Sequence, residues 1–124
     1  MLLIDPKTVE LAPYSELPHL LAPVISDPQA ATASLKWAVE EMNNRYEKLA
    51  AAGVRDIDSF NAKVEETGEY GLHMPYIVII IDELADLMMT ASAEIADYIG
   101  QITANYATRD DLADAITSRF VRNC

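Results

Sequence analysis

Glycine, cysteine and positive charge are scarce in this sequence. Its four glycines stand at 53, 68, 71 and 100. Neither G-x-x-x-x-G-K-[ST] nor G-x-G-x-x-G can be written with them, so no complete phosphate-cradling loop lies within the 124 residues. The one cysteine, Cys124, is the last residue, which excludes an internal disulfide and a cysteine-based zinc site. Two histidines, His19 and His73, are too few and too far apart to suggest a metal cluster. Lys and Arg number 9 against 20 Asp and Glu, a formal net charge of −11. Non-specific affinity for duplex DNA comes mainly from Lys and Arg on phosphates, so the chain does not read as a self-sufficient nucleic-acid binder. The longest apolar run, Tyr76 to Ile81, is far short of the roughly 20 residues of a membrane span. The apolar N-terminus lacks the basic region and cleavage site of a signal peptide.

What is present fits one small globular domain: 51% hydrophobic and 23% charged residues. Met1-Leu2-Leu3-Ile4 reads as the end of a buried strand, stopped by Asp5-Pro6. Four prolines between 6 and 27 exclude a long helix there, and Val24-Ile25 reads as a short strand or edge segment. Asp27-Pro28 supplies an N-cap carboxylate and a proline at the first helical position. Leu35, Val39, Met42, Tyr46 and Leu49 then keep helical spacing on one apolar face, and Gly53 is a C-terminal stop. Asp58 to Val64 reads as a short helix, and Thr67 to Gly71 as a loop. Tyr76 to Ile81 is a continuous, mainly β-branched run, the pattern of a strand buried on both faces in a parallel sheet. Two helices are expected to close the chain. One carries Ile95, Tyr98, Ile99, Ile102 and Tyr106, with Ser92 as its cap. The other follows Thr108-Arg109-Asp110-Asp111 and carries Leu112, Ile116 and Phe120. A strand–helix–strand unit of this kind makes its two strands parallel neighbours.

The chemistry concentrates at Ile77-Val78-Ile79-Ile80-Ile81-Asp82-Glu83. Two adjacent carboxylates at the carboxyl end of a buried strand lie where open α/β sheets bind ligands. Close negative charges repel unless a cation or a solvated opening intervenes. A magnesium ion on nucleotide phosphates is one such cation, and the arrangement is that of a Walker B strand. In the competing reading Asp82 caps the next helix and Glu83 sits in solvent.

Further residues carry a resemblance. Leu3-Ile4-Asp5-Pro6-Lys7, Val9-Glu10-Leu11, Pro18-His19-Leu20-Leu21 and Leu35-Lys36-Trp37-Ala38-Val39 do so. So do Glu41-Met42, Arg45-Tyr46, Ala52-Gly53-Val54-Arg55-Asp56 and the run from Pro75 to Met89. Over residues 2 to about 102 the chain resembles the FtsK/SpoIIIE family of DNA-translocating motors. The resemblance implies a partial RecA-like P-loop NTPase fold of α/β class, with a strand–helix–strand core. Residues 1–104 would belong to the motor domain and 105–124 to a divergent helical segment. It implies ATP with Mg2+ as cofactor, double-stranded DNA as partner and a ring-forming homo-oligomer. The setting implied is the cytoplasm, in chromosome segregation at division or sporulation, the parent often being anchored to the membrane by segments outside this chain. Asp82 corresponds to the magnesium carboxylate and Glu83 to the catalytic glutamate. Asp5, ending the neighbouring strand, could face the same nucleotide cleft or simply form the turn before Pro6. Lys7 reads as a solvated turn lysine more than as a phosphate ligand, His19 as a packed loop residue, and Trp37 and Tyr46 as core or subunit-contact aromatics. For Arg45 and Arg55 surface salt bridges are expected, ahead of reach to a neighbouring subunit or DNA.

The family's phosphate-binding Walker A loop would lie upstream of Met1, so nucleotide binding by this chain alone is expected to be weak or absent. A rival expectation is a non-catalytic module, or a truncated product without activity. In that reading residues 92–122 bury their apolar stripes against a partner or a second copy.

Overall fold

The computed structural model describes residues 1–7 and 11–106. Strand β1 (Leu2–Ile4) leads through an irregular, proline-punctuated segment to helix α1 (Pro28–Ala52), helix α2 (Ile57–Thr67), strand β2 (Ile79–Ile81) and helix α3 (Leu84–Tyr106). Short 3-10 turns occur at Ala12–Tyr14 and Tyr70–Leu72. The strands pair in parallel, Leu2 opposite Ile79 and Ile4 opposite Ile81. On β1's other edge Ile25 forms a single parallel bridge with Ile4, its N–H donating to Leu3 O at 2.9 Å. β1 therefore lies between β2 and the Val24-Ile25 segment, which meets the expectation of a short edge piece.

Two clusters of apolar side chains hold these elements. In the first, Leu2 and Ile4 share one face of the pleat and meet Ala31 and Leu35 of α1 and Leu87 and Ile95 of α3, with Ile79 and Ile81 packed alongside. In the second, Leu49 of α1 meets Phe60 and Val64 of α2 and Met74 of the segment entering β2. α1, about 37 Å long at the usual rise, serves both: its first half lies on the sheet and its last turn on α2.

The helix stops follow local rules. Gly53 has φ 71° and Gly68 φ 74°, left-handed positions that favour glycine. Gly53 N–H donates to Ala50 O and Val54 N–H to Leu49 O, the paired bonds of a Schellman stop. Gly68 and Glu69 repeat this on Glu65 O and Val64 O. Asp56 caps α2, its Oδ1 accepting from Ser59 N–H at 2.7 Å. Asp27 is the residue before α1 with Pro28 at the first helical position, as expected, but its side chain makes no cap hydrogen bond.

Several expectations need correction. The strand is Ile79–Ile81, not 76–81, and its residues are half-buried rather than enclosed on both faces. β1 offers backbone partners only from Leu2 onward, while Pro75 and Tyr76 are held by side chains from α1 and α2. Among the described residues β2 pairs along one edge only, with β1. Residues 84–106 form one continuous helix, so Ser92 does not begin a new one. Leu87, Ile95, Tyr98, Ile99 and Ile102 fall on one helical stripe, and burying it together favours an unbroken axis. For Trp37 and Tyr46 only the core alternative fails, not subunit contact: Trp37 is 40% exposed and, two residues past Leu35, points about 200° away from the core face. Tyr46 keeps the helical period but is 44% exposed, because it lies between the two clusters along α1. His19 is exposed rather than packed; its contribution is a carbonyl that accepts from the Met1 ammonium at 2.7 Å. The helix expected after Thr108 lies outside the described residues, as does nearly all of 105–124.

Candidate functional site

The parallel register brings two sequence-distant acids level. Ile4 opposes Ile81, so Asp5 and Asp82 are each the first residue beyond the carboxyl ends of adjacent strands. Asp82 N–H donates to Ile4 O at 2.9 Å, extending the ladder by one bond and fixing its backbone. Glu83 follows with φ 58°, the only non-glycine left-handed residue among those described. A side chain there costs on the order of 1 kcal/mol and is tolerated when the surroundings impose it. Here the chain must leave the sheet and enter α3 at Leu84 within two residues. Asp82 and Glu83 are both half-buried.

Asp5 is placed differently. Its side chain is fully buried, Oδ1 accepting from Lys7 N–H at 3.2 Å and Oδ2 from Leu11 N–H at 3.1 Å. These bonds satisfy a buried carboxylate and shape the turn after β1.

That turn delivers Lys7, which is exposed in the turn as expected and also meets an acid the sequence did not pair it with. Lys7 Nζ lies 3.2 Å from Asp86 Oδ2, with Lys7's side chain 62% exposed and Asp86's 31%. Asp86 sits in the first turn of α3, where a carboxylate also suits the helix dipole. The hydrogen bond to Asp86 and then its charge hold the Lys7 amine above its ordinary value of 10.5. The charges of Glu83 and Asp82 push the same way, while slight desolvation opposes them. Lys7 therefore lies within the field of three carboxylates. The D-P-K order after a strand and the D-E-x-x-D spacing were visible in the sequence; their meeting depended on the parallel pairing.

A second polar group closes the segment entering β2. Asn61 clamps Met74 in both directions, Nδ2 donating to its carbonyl and Oδ1 accepting from its N–H, each at 2.8 Å. Arg45 Nη1 donates to Pro75 O at 2.7 Å, while its Nε pairs with Glu41 at 2.9 Å. The expected salt bridge of Arg45 is thus present; Arg55 is exposed. Tyr76 OH donates to Asp58. Asp58, Asn61, Glu65, His73, Met74 and Tyr76 line a cleft of about 320 Å³. It lies away from Asp82 and Glu83, and several of its polar groups close on one another.

A parallel strand pair under helices, with acids just beyond its carboxyl ends, defines an α/β arrangement whose carboxyl edge is acidic. The signature of the FtsK/SpoIIIE family matches residues 1–116, and the chain belongs to that family. It is 59% identical over 102 residues, 82% of its length, to DNA translocase SftA of Bacillus subtilis. It is 53% identical over 102 residues, 79% of its length, to DNA translocase FtsK of Streptococcus pneumoniae. To DNA translocase FtsK of Leptospira interrogans it is 44% identical over 138 residues, covering 99% of the chain. The chain spans only 11%, 13% and 14% of these three relatives. No helix of the described residues is long and apolar enough to cross a membrane.

Proposed function

We propose that residues 1–104 are the Walker B portion of a RecA-like motor domain in an ATP-driven double-stranded DNA translocase. The observation that carries this is the placement of Asp82 and Glu83 directly beyond the carboxyl end of a strand in a parallel pair, in a chain of this family. Among the described residues no three His, Cys, Asp or Glu gather into a metal cage. Mg2+ in nucleotide sites takes one or two carboxylates and completes its shell with phosphates and water. Adjacent half-buried acids fit that demand, and the remaining ligands would come with the nucleotide. Bound Mg·ATP supplies a triphosphate whose charge is already partly neutralised. Asp82, held by its bond to β1, is the residue to hold the ion; Glu83 is the one to orient water and accept its proton. Asp5, with both oxygens on backbone N–H groups, shapes the turn rather than touching nucleotide. Assembly as a ring around DNA, chromosome segregation and a cytoplasmic setting belong to the same proposal.

The rival reading needs the apolar stripe of 92–122 free for a partner. Through Ile102 that stripe is engaged inside the fold, with Ile95 fully buried and Tyr98, Ile99 and Ile102 against the first cluster.

The test is a chimera in which residues 2–102 replace the matching segment of the Bacillus subtilis relative. DNA-stimulated ATP turnover is expected, falling about 10²–10⁴-fold on Glu83→Gln. Turnover indifferent to Glu83→Gln would overturn the assignment. The 124-residue chain by itself, which contains no G-x-x-x-x-G-K-[ST], is expected to show no Glu83-dependent hydrolysis.

A further inference from the structure

Lys7 reaches the acidic corner through a specific series of contacts. β1 ends at Ile4. Buried Asp5 then accepts from the Lys7 N–H and fixes the turn, which brings Nζ to 3.2 Å from Asp86. Asp86 lies one helical turn beyond Glu83, so the same corner holds Asp82, Glu83 and Asp86 against a single lysine in their field. The lysine's side chain is 62% exposed, so its charge is not sequestered by packing and can be displaced.

We propose that Lys7 is a tethered counter-ion of this corner: it neutralises the strand-end acids before a divalent cation arrives, and competes with that cation for them. The proposal rests on the reading of Asp82 as the metal carboxylate. It gives Lys7 a function distinct from a phosphate ligand or a solvated turn residue. The ion pair with Asp86 clamps the β1 turn to the first turn of α3, and the ammonium lies in the field of Glu83 and Asp82 as well. A cation held by Asp82 would face Lys7 as a like charge. Entry of the metal should therefore loosen the Lys7–Asp86 contact, coupling the turn after β1 to occupancy at the end of β2.

The test uses the full 124-residue chain and Mn2+ alone as the probe, read by paramagnetic broadening of the backbone amides. In the wild type, broadening is expected to centre on residues 82 and 83 and to vanish on Asp82→Asn. Lys7→Met is expected to bind Mn2+ roughly fivefold to tenfold more tightly at low salt, as removal of a nearby unit charge predicts. The difference should shrink towards about 1 M salt, where screening acts over ~3 Å. Lys7→Arg keeps the charge and should keep wild-type affinity, which a merely structural loss of the lysine stem would not reproduce. Mg2+ added to the wild type should also shift the Lys7 side-chain carbon resonance next to the amine, a readout that needs no variant to fold. Equal or weaker Mn2+ binding by Lys7→Met, an Arg variant that behaves like Met, or an unmoved Lys7 resonance overturns this inference while broadening at 82 and 83 upholds the metal assignment. Absence of broadening there in both the wild type and Lys7→Met overturns this inference alone, since the remaining metal ligands come with the nucleotide; Glu83-dependent turnover of the chimera decides the Walker B reading.

Discussion

The two ends of α1 face corners that solve the same geometric problem in opposite ways. At the α1–α2 end the chain reverses through glycines, Gly53 and Gly68, at left-handed positions. There the polar groups close on near partners: Asn61 on Met74, Arg45 on Pro75, Lys63 Nζ on Ala52 O at 2.6 Å. At the strand-end corner the left-handed residue is a glutamate, and three acids surround one lysine. The first corner relieves strain and satisfies polarity. The second retains both strain and excess negative charge, and that contrast supports the proposed site without reference to any cavity.

The largest expected effect tests whether α1 unites the corners. Phe60→Ala should remove about 3–5 kcal/mol from stability, measured by urea unfolding. Far-UV circular dichroism and Trp37 fluorescence should report the same midpoint if both clusters unfold together; separate midpoints would mean the corners are independent units. Next comes the clamp on the segment entering β2. Asn61→Ala leaves the N–H and carbonyl of buried Met74 without the amide and should cost about 1–3 kcal/mol in the same assay. The sharpest contrast is smaller. Gly53→Ala forces a side chain to φ 71° and should destabilise by about 1 kcal/mol. Glu83→Gly should do the reverse, leaving stability unchanged or raised by up to about 1 kcal/mol, though it removes the carboxylate. A loss of stability from Glu83→Gly would mean that the turn is not strained. The smallest effect concerns pH. Because pairing raises the Lys7 value in the folded state, its contribution is fully present below 10.5 and is lost as pH rises through the folded value. The urea midpoints of wild type and Lys7→Met should thus differ by a constant amount from neutral pH up to about pH 10 and converge above it.

Much of the helical corner was legible because its rules are local. Asp27-Pro28 marked where α1 begins, and Gly53 marked where it ends. The short helix near 58–64 was also readable, its extent being set by Asp56 and Gly68. The strand-end corner was legible in its chemistry, since an aliphatic run ending in Asp-Glu is a short motif. Its wiring was not. The extent of β2 depends on where β1 offers partners, and the unbroken α3 depends on a stripe that must lie on the sheet. Exposure of Tyr46 depends on the gap between two clusters, which helical periodicity cannot show.

The sequence by itself determined the ends of α1, the presence of α2 and the adjacency of Asp82 and Glu83, because propensity, capping and covalent neighbourhood act over a few residues. Only the tertiary structure decided that Asp5 would be consumed by its own turn and that Lys7 would lie against Asp86. Such pairings span dozens of residues and arise from strand register and helix packing, which bring distant side chains within reach.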